Sequence, residues 1–130
     1  MEAKNYLIIC TMSSFLMSCG GAPPPNLKVP PEYKTGQIYF HTVCSNCHGP
    51  DALSKGNFKA PKLIDVEYLP ENFSDDDIRN TIKNGTEKMP SQRNKFNKKE
   101  IEEIIKYLRY SQRAARLNEM LEEDFNEGEE

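Results

Sequence analysis

Cys44-Ser45-Asn46-Cys47-His48, CSNCH, places two thiols and an imidazole within five residues. Three chemistries use such a cluster: covalent attachment of a prosthetic group, a structural zinc, and thiol–disulfide exchange. Each demands a different frame. A zinc knuckle needs four ligands around a tetrahedron. A thiol-redox site wants C-x-x-C on a βαβ unit. A covalent prosthetic group needs only a shell of chain around it.

The rest of the chain decides among them. It has 130 residues, 37% of them hydrophobic, and a formal net charge of −3, with a mean hydropathy of −0.73. These values suit one small domain and do not suggest a nucleic-acid binder. The apolar content is thin for a self-sufficient core, and small domains of that kind usually carry a staple. No run alternates convincingly as a strand. The fold class is all-α: a small bundle of about three to four helices, preceded by a signal peptide and a Pro-rich linker.

Reading outward from the cluster, Tyr33 to Cys44 is a helix with Tyr39, Phe40 and Val43 on one face. The stretch HGPDALSKGNFKAPK, 48–62, is loop, marked by Gly49, Pro50, Gly56 and Pro61. A short helix follows, with Ser74 as N-cap, acids in its first turn, and Asn84-Gly85 at its end. TEKMPSQRNKF, 86–96, is loop. The longest helix opens on a capping-box-like Asn97 and Glu100, runs to Leu117, and carries Ile101, Ile104, Ile105 and Leu108 as its apolar stripe.

Upstream, Leu7 to Met17 is an apolar run behind a short head carrying Lys4, the layout of an export signal. LMSCG, Leu16 to Gly20, resembles the lipobox of bacterial lipoproteins. That resemblance implies cleavage before Cys19 and acylation of Cys19, and several acyl chains anchor stably where one does not. The domain reading is therefore 1–18 signal peptide, 19–32 lipid-anchored Pro-rich linker, 33–112 cofactor domain, and 113–130 helix end and acidic, disordered tail. The linker reads as a semi-rigid polyproline spacer. The implied location is exported, on the periplasmic or cell-surface side of a bacterial membrane.

Of four cysteines, Cys10 lies in the discarded signal and Cys19 in the lipobox, which leaves Cys44 and Cys47. C-x-x-C-H is the attachment signature of a c-type haem. Two thiols add to the two vinyl groups on one edge of the porphyrin, and two spacers in a helical turn set them that far apart. His48 then meets the iron from one face. Zinc lacks a second knuckle, thiol redox lacks strands, and a plain disulfide stays open as a minor alternative.

A haem iron on one histidine takes a second axial ligand or stays open to gas or peroxide. His41 sits on the attachment helix and reads as an exposed helix histidine. Met120 lies in the acidic tail. Met89, in a polar loop and followed by Pro90, is the expected ligand.

Gly36, Tyr39-Phe40, CSNCHG at 44–49, Pro61-Lys62-Leu63, Asn84-Gly85, Met89-Pro90 and a closing helix with Tyr107-Leu108 together resemble a class I cytochrome c, from about Tyr33 to Tyr110. The resemblance implies one haem c held by thioethers from Cys44 and Cys47, iron ligated by His48 and Met89, and a Pro61 carbonyl that takes the imidazole N–H. It also implies that the first and last helices cross at Gly36, with Tyr107 in the crossing. There is no tryptophan, so the propionate partner is open; Tyr68 and Arg79 are candidates.

The function expected is a non-enzymatic, membrane-tethered carrier of single electrons between redox proteins, with no small-molecule substrate and no nucleic acid. Alternatives are a cytochrome subunit of a larger oxidoreductase, or a haem gas sensor or weak peroxidase with a labile Met89. Residues 119–130 hold seven acids and no base, whereas 19–118 hold sixteen Lys and Arg against twelve acids. Lys88, Arg93, Lys95, Lys98 and Lys99 surround Met89 in sequence and would suit an acidic docking face.

Overall fold

Among the described residues there are four α-helices: α1 (Pro31–Val43), α2 (Ser45–His48), α3 (Asp75–Asn84) and α4 (Lys98–Glu127). The computed structural model describes residues 25–53 and 60–127, with backbone only at 118 and 120–127. The signal peptide, Cys19, residues 20–24 of the linker, residues 54–59 of the loop, the Met120 side chain and residues 128–130 lie outside the described residues. None of those described is in a strand.

α1 starts on Pro31, whose missing N–H costs nothing in a first turn. It packs against α4 as the principal helix pair. The crossing is at Gly36. A Cβ built there would lie 2.0 Å from the Glu103 carbonyl oxygen and 2.7 Å from Tyr107 Cβ. Only a hydrogen side chain lets the two backbones approach so closely. Phe40, Ile104 and Tyr107 fill the contact beside it, all three essentially without solvent exposure.

α3 begins with a reciprocal capping box: the Asp77 N–H donates to Ser74 Oγ, and the Ser74 N–H donates to Asp77 Oδ2. Its Ile78 and Ile82 face α4 and join the core with Phe96, Ile101, Ile105 and Leu108. α4 opens as expected, with the Asn97 N–H donating to Glu100 Oε2 and the Glu100 N–H to Asn97 Oδ1.

Two expectations are corrected. The segment 122–130, read as disordered, is helical through Glu127. Glu, Met and Leu are good helix formers, and no glycine or proline interrupts them before Gly128. The spacer is not free up to residue 32. The N–H groups of Asn26 and Leu27 donate to Asp51 Oδ2, and Val29 and Tyr33 pack on the core. The two loops flanking Pro61 contain short 3₁₀ turns at Pro50–Ala52 and Val66–Tyr68.

Arg109 organises the long connection before α3. Its Nη1 donates to the Tyr68 carbonyl, Nη2 to the Phe73 carbonyl, and Nε to Asp75 Oδ1. Gln112 Nε2 donates to the carbonyls of Leu63 and Tyr68. Two buried polar side chains of α4 thus satisfy backbone oxygens that no regular element pairs.

Candidate cofactor site

Cys44 caps α1 and begins α2 without leaving helical backbone. The Cys47 and His48 N–H groups both donate to the Cys44 carbonyl, at 3.1 and 2.9 Å. The motif is one helical turn. Residues three apart in a helix share a face, so both thiols come to the same side, each half-buried and unbonded to the other. Burial, then the neighbouring Cys47, pushes the Cys44 thiol up to about 12, against the opposing charge of Lys95.

His48 is 9% exposed. Its Nδ1 lies 3.0 Å from the Pro61 carbonyl oxygen. With the proton on Nδ1 directed at that oxygen, Nε2 carries the lone pair. This donor set fits a c-type haem: two thiols on one face of a turn, and an imidazole whose ring is held from behind with its free nitrogen available. The described residues contain no group of three or more His, Cys, Asp or Glu side chains that could hold a metal ion, which disfavours zinc.

Gly49 turns the chain with φ of 77°, and Asp51 and Ala52 follow at 56° and 61°. Two non-glycine residues in the left-handed region are strained unless their surroundings hold them. Asp51 is held on every side and has no exposure. Tyr107 Oη donates to its Oδ1 at 2.6 Å, and the Asn26 and Leu27 N–H groups donate to its Oδ2 at 2.6 and 3.0 Å. His41 Nε2 stands 3.4 Å from Oδ1. Burial alone would raise this carboxyl. The three hydrogen bonds and His41 outweigh it and hold Asp51 below the ordinary carboxylate value.

His41 is therefore not the exposed histidine expected from its place on the helix. Its side chain is 10% exposed and turned toward Asp51. The sequence carries only a faint signal for Asp51, an acid just after a Gly-Pro turn, and its partners are 10 to 56 residues away in the chain. Arg109, Ser111 and Gln112 had a better one. They continue the face of Ile101, Ile104, Ile105 and Leu108 down to buried Ala115, so a polar stretch on a buried stripe was legible.

The Met89 loop folds back on the end of α3. Gly85 takes φ of 74°, and a Cβ on it would meet the Met89 carbonyl oxygen at 2.5 Å. The Thr86 N–H donates to that oxygen, and the Met89 N–H donates to Thr86 Oγ1. The Gln92 N–H donates to the Ile82 carbonyl. Phe96 packs on Tyr39 with ring centroids 5.9 Å apart, which ties this loop to α1. The Met89 side chain is partly exposed, and Lys88, Arg93, Lys95, Lys98 and Lys99 are all exposed. Of the two propionate candidates, Arg79 is engaged by Glu102 and Asp76, and Tyr68 packs edge-on against Phe73.

An all-helical domain built around a C-x-x-C-H turn, with its histidine backed by a proline carbonyl, defines a c-type cytochrome. The family model described as cytochrome c oxidase, cbb3-type, subunit III matches residues 31–108. The chain belongs to this family of cytochrome c domains. It binds haem c covalently through Cys44 and Cys47, and it is an electron-transfer module rather than an enzyme. No curated protein and no solved structure matches the chain.

Proposed function

We propose that this protein is a membrane-tethered cytochrome c that carries single electrons between redox proteins on the outer side of a bacterial membrane, with His48 and Met89 as axial ligands and Cys19 as lipid anchor. The observation that carries the reading is the 3.0 Å contact of His48 Nδ1 with the Pro61 carbonyl. It leaves Nε2 as the coordinating atom and makes the imidazole a stronger ligand. When bound, the haem supplies a one-electron iron couple. Methionine opposite histidine raises its potential. A single attachment motif means a single haem.

The exposed basic set around Met89 in sequence supports docking to an acidic partner. Such docking would be fast at low salt and slow as salt rises. Glu119 does not compete for these lysines within one molecule. α4 is continuous, so 20 residues at about 1.5 Å each put Glu119 about 30 Å along the axis from Lys99.

A second reading follows from the family's description as an oxidase subunit: this chain would be a fixed component of a terminal oxidase. No helix of the described residues is long and apolar enough to cross a membrane, so attachment would rest on Cys19 and on protein contacts. Co-purification with an oxidase that survives high salt separates the fixed subunit from the free carrier.

The test of ligation is an optical spectrum of the mature chain made in a host that attaches c-type haem. The expected result is low-spin iron in both oxidation states, a weak ferric sulfur-to-iron band that Met89→Ala abolishes, and no response to carbon monoxide. A carbon-monoxide adduct in the unaltered protein would refute Met89 ligation and favour the sensor or peroxidase reading.

A further inference from the structure

The linker and Asp51 together carry a consequence for where the haem domain can stand. Asn26 and Leu27 donate their N–H groups to the buried Asp51 carboxylate, and Leu27 returns its carbonyl to Gln37 Nε2 at 2.8 Å. Gln37 is itself buried on α1, beside Gly36. Val29 and Tyr33 add apolar contact with the core, and Tyr33 stacks on Tyr110 with ring centroids 4.4 Å apart. The Asn26–Leu27 end of the strap is held by two side chains with almost no solvent exposure, and the Tyr33 end by aromatic packing, so it is not a surface loop lying loosely on the domain. The carboxylate at its centre is charged, which makes its hydrogen bonds the stronger kind.

We propose that residues 26–33 act as a clamp that shortens the tether and keeps the haem domain against the membrane that anchors it. The proposal rests on the reading of Cys19 as the lipid anchor. Were the linker free to Tyr33, it would span fourteen peptide steps from Cys19, about 50 Å when fully extended at about 3.6 Å per residue. With the chain clamped at Asn26, seven steps remain, an upper bound of about 25 Å. A domain of this size is about 30 Å across. The clamped domain therefore stays within one diameter of its own bilayer, with the turn after His48 nearest the tether. It serves a redox partner resident in the same membrane, whose electron port lies near the bilayer surface. A partner standing off that surface would be out of reach.

Two measurements on the haem-loaded mature chain test this. The first is amide hydrogen exchange. The Asn26 and Leu27 N–H groups are expected to be protected, and Asp51→Asn to lower that protection about 10- to 100-fold, the range set by a hydrogen bond to a charged group, and Gln37→Ala about 2- to 10-fold, the range of a neutral one. Amides in α4 should keep theirs. Gln37→Ala leaves Asp51 and its Tyr107 contact intact, so it still tests the clamp if Asp51→Asn misfolds. Exchange of Asn26 and Leu27 at free-chain rates in the unaltered protein overturns the clamp. The second is quenching of a headgroup fluorophore by the haem in phosphatidylglycerol/phosphatidylethanolamine vesicles carrying the acylated chain. Quenching should be strong, weaker in both clamp variants, and weaker again when ten Gly/Ser residues are inserted after Gly21. Equal quenching in the unaltered, clamp-variant and extended chains overturns the membrane geometry. Failure of the unaltered chain to bind vesicles refutes the anchor at Cys19 instead, while the exchange result still decides the clamp.

Discussion

Replacing Gly36 by alanine sets two calibrated effects against each other. Helix propensity favours alanine in a helix interior by about 1 kcal/mol. Sterics oppose it. The new methyl carbon would lie 2.0 Å from the Glu103 carbonyl oxygen and 2.7 Å from Tyr107 Cβ. Ordinary contact begins near 3.4 Å, so α1 and α4 must part by about 1 Å or the turn at Gly36 must distort. A gap of that size forfeits about a quarter to a half of each dispersion contact it opens. Phe40, Ile104 and Tyr107 fill this interface and are all but unexposed. Overpacking typically costs about 1–3 kcal/mol, and more when the obstacle is backbone that cannot rotate away. Sterics should win, for a net loss of about 2–4 kcal/mol after the propensity gain. In a domain near 100 residues that lowers Tm by about 10–25 °C. The assay is thermal and guanidinium unfolding of the haem-loaded protein by far-ultraviolet circular dichroism. Thr35→Ala, at the neighbouring exposed position, is the control for propensity and should change stability little. A Gly36→Ala protein as stable as its parent would refute the close crossing of α1 and α4.

Arg109→Leu should cost about 3–5 kcal/mol in the same unfolding assay, because it leaves the Phe73 carbonyl and the Asp75 carboxylate without this donor and the Tyr68 carbonyl with Gln112 alone. Ser74→Ala should cost about 1 kcal/mol through loss of one half of the α3 capping box, and should leave the haem spectrum unchanged. Asp51 predicts a pH signature. Its folded-state carboxyl is held below the ordinary 3.8, so its contribution is fully present above that value and is lost as pH falls through the lower folded-state value. The stability difference between the parent and Asp51→Asn should be constant at neutral pH and shrink below about pH 4; a difference that instead grows on acidification would contradict the direction of the shift.

Much of this protein was legible in one dimension because the relevant physics is local. A C-x-x-C-H turn needs only five consecutive residues to place two thiols and an imidazole. The side chains of the caps at Ser74 and Asn97 accept from backbone N–H groups three residues on. The stripe of Ile101, Ile104, Ile105 and Leu108 follows from helical period alone. Gly36 and Pro61 were reached through the resemblance, since nothing in their neighbours says what stands across from them. What the sequence hid is the buried polar wiring. Asp51 reads as a turn acid until Tyr107, His41 and the linker close on it, and His41 reads as exposed until that carboxylate stands 3.4 Å away. Charges are removed from water only where distant segments meet, so their burial is a property of packing. The same holds for the linker. Its prolines determine that it is extended, but where it stops being a linker depends on one carboxylate acceptor and one amide donor supplied by the folded domain.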